Sequence, residues 1–169
     1  MGEVWKVFDT NLNGIYGDVT EAWDDLVTKY SEESHVSYWE PDSVLIGRAK
    51  VAIPWSSVIP VGDQFFRATI DAETEELTVR ELNLATGTVK ASVGTKLKAT
   101  HLILKEVGRL EGAYFDVSGK KGTVVPAGRY KFVFGRLEGG KRTSMDQVRM
   151  YTGATEEFDV AAGETVTLE

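Results

Sequence analysis

A chain of 169 residues, 42% hydrophobic and 27% charged, is long enough for one substantial core or two smaller ones. No apolar run approaches the roughly 18 residues a membrane-spanning helix needs, and the absence of cysteine excludes disulfides and thiolate metal sites. The formal charge of −7 is concentrated: residues 1–42 hold ten acids against Lys6 and Lys29, a balance of −8, so the other 127 residues sum to +1. Nucleic acid is excluded as an expected partner, because binding phosphates needs concentrated Lys and Arg. The acidic segment suits either a bound cation or a solvated surface.

No leader is visible in "MGEVWKVFDT", where a strand-like stretch follows Met-Gly directly. Next comes "DTNLNGIYGD", a D-x-N-x-N-G pattern with Asp9, Asn11 and Asn13 at positions 1, 3 and 5 and Gly14 at 6. Calcium takes six to eight oxygens at about 2.3–2.6 Å. Alternate side chains of a tight loop supply three of them, and the glycine permits the bend that brings the next carbonyl, here Ile15, into the shell. The pattern departs from an EF-hand at its twelfth position, Thr20, which cannot replace a bidentate glutamate. Asp18 and Asp24 are the expected closing ligands, with Asp25 as the rival to Asp24. Magnesium fits less well, because it keeps its waters and seldom receives a protein cage. The same residues also suit Asx turns in a polar hairpin, with their side chains bonded to the backbone.

"DVTEAWDDLVTKY", residues 18–30, carries Ala22, Leu26, Val27 and Tyr30 near helical spacing after Thr20 as an N-cap, and is the one helix expected. From there the chain reads as strands: "SVLIGRAKVAI", "QFFRATID", "EELTVREL", "KLKATHLILKEV", "AYFDV", "GRYKFVFGRL", "DQVRMY" and "ETVTL". Alternation places Tyr130, Phe132 and Phe134 together on one buried face, and Val166 and Leu168 opposite Thr165 and Thr167. "SGKKG", "PAG", "EGG" and "AAGE" supply the turns between them. The small-residue stretch at 91–96 suggests a boundary. All four tryptophans precede residue 56 and 10 of the 17 glycines follow residue 94, so the expected division is 1–94, holding the loop, and 95–169, a β-sandwich.

The segments "FDTNLNGIYGD", "IPVGDQFFRATIDAETEELTVREL" and "VVPAGRYKFVFGRLEGG" with "FDVAAGETVTLE" resemble a group of uncharacterised secreted or surface proteins of planctomycete-type bacteria. Their D-x-N-x-N-G-x-[YF]-x-D loop precedes a β-rich part. The C-terminal portion is also similar to prealbumin-like or carboxypeptidase-regulatory sandwiches. The resemblance implies an extracytoplasmic location and no known activity. The strand pattern still running at "TVTLE" adds the expectation of a longer parent protein.

Nucleophile-elbow, zincin, Walker and dinucleotide signatures are missing from the sequence. His35 reads as a loop residue and His101 as a strand-face residue, and two histidines make a poor zinc site. Paired acids such as Asp24/Asp25 give a weak basis for a hydrolase. Trp39 and Trp55, beside Pro41 and Pro54, are read either as core or as an aromatic platform for polysaccharide. The expectation is an all-β protein of two packed subdomains, the first with the calcium loop and at most one short helix, the second immunoglobulin-like or prealbumin-like. It would act as a non-enzymatic structural or adhesive module that binds Ca2+ and has polysaccharide or another protein as partner. A carbohydrate-binding module is the alternative, and a hydrolase with an acidic site stands third.

Overall fold

The computed structural model describes residues 4–10, 12–17, 29–31, 36–38, 42–47, 52–110, 112–141, 144–151 and 156–169. Among these, every regular element is a β-strand, so the protein is all-β as its alternating patterns require. Most of the expected helix, residues 18–28, lies outside the described residues. Its last two positions, Lys29 and Tyr30, belong instead to strand β2 (Lys29–Ser31), which pairs antiparallel with β3 (Val36–Tyr38). Cross-strand pairing has overridden the helical spacing there.

The chain forms two compact units, Met1–Leu82 and Asn83–Glu169, dividing ahead of the expected boundary after residue 94. The reason is strand β9 (Thr86–Ala91), which pairs antiparallel with β12 (Thr123–Pro126) and parallel with β16 (Thr165–Leu168). The small residues after it form a turn, with Thr95 N–H donating to the Val93 carbonyl and Leu97 N–H to Thr95 Oγ1.

In the first unit, β1 (Trp5–Phe8), β4 (Ser43–Ile46) and β5 (Ile53–Pro54) make one sheet in that order, and β6 (Val58–Val61), β7 (Gln64–Ile70) and β8 (Leu77–Leu82) make a meander. Val44, Trp55, Ile59 and Ala68 are buried together, with Trp5, Val7, Ile46, Ile53, Ile70 and Leu77 packed against them. The β7–β8 turn is built by Asp71, whose Oδ1 accepts from the N–H groups of Glu73 and Thr74 and from the Thr74 hydroxyl. These bonds favour the ionised carboxylate and hold its pKa below the ordinary value.

The second unit holds a five-stranded sheet of β10 (Lys98–Glu106), β11 (Tyr114–Asp116), β13 (Gly128–Lys141), β14 (Ser144–Tyr151) and β15 (Phe158–Val160), beside the three-stranded β12-β9-β16. Gly87 of β9 lies so close to β15 that a Cβ there would come within 2.5 Å of the Val160 side chain. Val166 and Leu168 are half-buried and Thr165 and Thr167 exposed, as the alternation predicts. The Tyr130 hydroxyl donates to the Pro126 carbonyl at 2.6 Å, tying β13 back to β12.

The aromatic row of β13 is not on one face. Leu104 stands opposite Phe132 and Ile103 opposite Phe134, so Val133 is an extra residue in the ladder. Directly opposed residues share a face, and this bulge therefore moves Phe134 to the side of Ile103 while Tyr130 and Phe132 stay with Leu104. Consistently, a Cβ on Gly135 would meet Phe132 and Leu102. Phe134 and Tyr130 are buried and Phe132 half-buried. The expected "EGG" turn is also absent: Glu138, Gly139 and Gly140 oppose Gln147, Asp146 and Met145 within the β13–β14 ladder. Gly139 is needed in mid-strand because a Cβ would come within 2.5 Å of the Leu97 side chain.

Candidate metal loop

The chain leaves β1 at Phe8 and turns through the 9–17 loop. Asp9 accepts from two N–H groups of its own loop, Asn13 on Oδ1 at 3.2 Å and Gly14 on Oδ2 at 2.8 Å. The Asn13 side-chain oxygen accepts from Ile15 N–H at 2.8 Å. Leu12, Gly14 and Gly17 take positive φ values of 60°, 82° and 78°, which is how so short a segment closes on itself. These Asx bonds curl the loop through its own side chains.

A residue outside the motif fixes the loop's ends. Asp42, immediately before β4, is fully buried. Its Oδ1 accepts from Thr10 N–H at 2.9 Å and its Oδ2 from Gly17 N–H at 2.6 Å. The Asp42 carbonyl also accepts from Trp55 N–H at 2.6 Å, and a Cβ on Gly17 would lie 3.0 Å from the Trp55 ring. The loop is thus clamped by one buried carboxylate and seated on a core tryptophan. Nothing in the sequence marked Asp42 for this: it was one acid among ten, 25 and 32 residues from its two partners.

Of the expected ligands, Asp9, Asn13 and Ile15 lie together on this loop, while Asn11, Asp18 and Asp24 lie outside the described residues. Among the described residues no three Asp, Glu, His or Cys side chains converge as a metal set. The described loop oxygens that suit a hard cation are one carboxylate, one amide and backbone carbonyls. Trp55 is not a sugar platform: only 3% of it is exposed, and it packs against Val44, Ile59 and Ala68, so neither ring face is open to stacking. Trp39 lies outside the described residues.

The second unit holds one further buried carboxyl group, Glu106, and a half-buried one, Asp116. Glu106, 2% exposed, ends β10 and accepts from Arg109 N–H on Oε1 and Leu110 N–H on Oε2. Burial, reinforced by the nearby Glu106 carboxyl, pushes the Tyr130 hydroxyl well above its usual range. Asp116 of β11 pairs with His101 of β10, Oδ2 to Nδ1 at 3.3 Å, and accepts from Leu102 and Ser118 N–H on Oδ1. Its burial opposes ionisation, but the His101, Ser118 and Leu102 bonds outweigh that and leave its pKa below the ordinary value. His101 is buried and Asp116 half-buried, so this pair ties β10 to β11 at the margin of the interior.

No family model, curated protein or solved structure matches the chain. Its functional reading therefore rests on these residues and their geometry.

Proposed function

We propose that the protein is a non-enzymatic structural or adhesive β module of an extracytoplasmic protein, organised by one Ca2+ bound in the 9–17 loop. The second unit is read as an immunoglobulin-like or prealbumin-like sandwich. Asp9, Asn11 and Asn13 side chains and the Ile15 carbonyl supply the loop ligands, with Asp18 and Asp24 closing the shell. The observation that carries the reading is Asp42, which braces Thr10 and Gly17 from below and leaves Asp9 and Asn13 to shape the loop between them. A loop held at both ends before the ion arrives loses less entropy on binding. With two asparagines among its ligands, the site suits calcium-rich surroundings outside the cytoplasm.

Thermal unfolding in calcium, in chelator and in magnesium tests this. Free calcium at 100 times its dissociation constant should stabilise the protein by about 2.7 kcal/mol if only the folded form binds, chelator should remove the gain, and magnesium should do much less. Asp9→Ala should abolish the response and Asp25→Ala should leave most of it. Melting curves indifferent to calcium and chelator would reject the reading.

A further inference from the structure

Five of the eight exposed large hydrophobic side chains among the described residues lie between Val4 and Tyr16. Phe8 is on the exposed face of β1, whose Trp5 and Val7 pack against the core, with Val4 just ahead of the strand. Leu12, Ile15 and Tyr16 follow on the 9–17 loop. Leu12 is 86% exposed and holds a φ of 60°. Glycine, asparagine and aspartate take that conformation at lower cost and are the usual residues of a solvated turn, so the fold itself gains nothing from leucine there. The N–H groups of Thr10, Asn13, Gly14, Ile15 and Gly17 are all bonded to the side chains of Asp42, Asp9 and Asn13. A segment that leaves water must satisfy its backbone donors in this way.

We propose that the tip of the 9–17 loop docks on a choline-lipid surface, with Leu12 and Ile15 entering the boundary between headgroups and acyl chains and Tyr16 and Phe8 beside the choline groups. Charge complementarity selects this occupant. Residues 1–42 carry a balance of −8, which repels anionic lipid and suits the quaternary ammonium that phosphatidylcholine holds outermost. Exposed aromatic rings attract the same group through their faces. The apolar side chains are also carried on a protruding turn, which a fluid lipid surface accepts without a complementary socket, as a folded partner would need. Asp42 already holds both ends of the loop, so the tip meets the surface with little further ordering. Such docking gives the adhesive reading its surface, and it rests on that part of the reading and not on the ion.

Sedimentation of the full chain with phosphatidylcholine vesicles, in chelator, tests this apart from the calcium response, since either can fail while the other stands. The chain should bind, and phosphatidylglycerol vesicles should take it up at least about tenfold less. Leu12→Asn keeps a residue suited to positive φ, so its melting temperature should not fall, while its vesicle binding should weaken about tenfold. Val79→Asn removes an exposed valine from β8 of the same unit and should bind as the wild type does. Failure to sediment with phosphatidylcholine would overturn the proposal and leave a protein as the occupant of the tip. Equal or stronger binding to phosphatidylglycerol, a Leu12→Asn variant that binds as the wild type does, or an equal loss in Val79→Asn would overturn it as well. So would displacement by soluble phosphocholine, which would mark a headgroup pocket in place of an inserted tip.

Discussion

Asp42 in the first unit and Glu106 in the second do the same physical work at different range. Each is buried, each uses both carboxylate oxygens, and each accepts from two backbone N–H groups. Glu106 reaches three and four residues ahead and caps the turn that follows its own strand. Asp42 reaches 32 and 25 residues back and holds the two ends of a loop it does not belong to. A local clamp forms as soon as its turn forms. A distant one exists only once β1 and β4 have paired in the register Trp5↔Ile46 to Phe8↔Ser43, which places Asp42 beside the start of the loop. The surroundings differ too. The 9–17 loop leaves Leu12, Ile15 and Tyr16 exposed, whereas the Glu106 turn adjoins buried Ala113, Tyr114 and Phe115.

Removing each clamp is the largest test of that comparison. Glu106→Ala leaves Arg109 and Leu110 N–H without their acceptor and empties the space its side chain fills beside Gly108 and Gly128. It should cost about 3–5 kcal/mol in denaturant unfolding. Asp42→Ala should cost somewhat less, about 2–4 kcal/mol, but should also raise amide exchange at Thr10 and Gly17 and weaken the calcium response. If exchange rose equally at Arg109 and Leu110, the two clamps would not be independent. Next in size is Gly87→Ala, expected to lose about 1–3 kcal/mol because the new Cβ meets the Val160 side chain and, at 2.6 Å, the Ala161 carbonyl. A neutral result by thermal melting would mean that β9 and β15 separate easily.

The smallest effect concerns pH. Asp116 has its folded pKa below the ordinary 3.8, so its ionised form stabilises the fold. That contribution is complete above the unfolded value and is lost as pH falls through the lowered folded value. Asp116→Asn should therefore flatten the acid limb of the stability curve below about pH 4. Tyr130 acts at the opposite end. Its pKa is raised in the folded state, so stability is full below its ordinary value of 10.0 and declines above it as the unfolded chain ionises. Tyr130→Phe should remove that alkaline decline, at the cost of the bond to Pro126.

Strand identity was largely legible in β7, β8 and β10, because their six to nine residues form long strand-like runs bounded by turn residues. Short strands such as β12 and β15 escaped, since three or four residues carry too little pattern. The β13 row misled because one bulge at Val133 reverses every later side chain. "EGG" misled because glycine serves close packing against Leu97 as readily as it serves a turn. In the loop, the spacing of Asp9, Asn13 and Gly14 announced a tight oxygen-lined bend, and the Asx bonds are local enough to follow from it. Trp55 could be read as platform or core from sequence, and only burial decides between them.

By itself the sequence determined an all-β chain, the position of its acidic loop and the residues that curl it, because alternation, turn chemistry and Asx bonding act over a few residues. Tertiary structure alone decided that β9 belongs to the second unit, that Phe134 and Phe132 face opposite sides, and that Asp42 holds the loop. Each of these depends on which strands pair and in what register. Pairing energy comes from contacts between residues far apart in the chain, which no local pattern records.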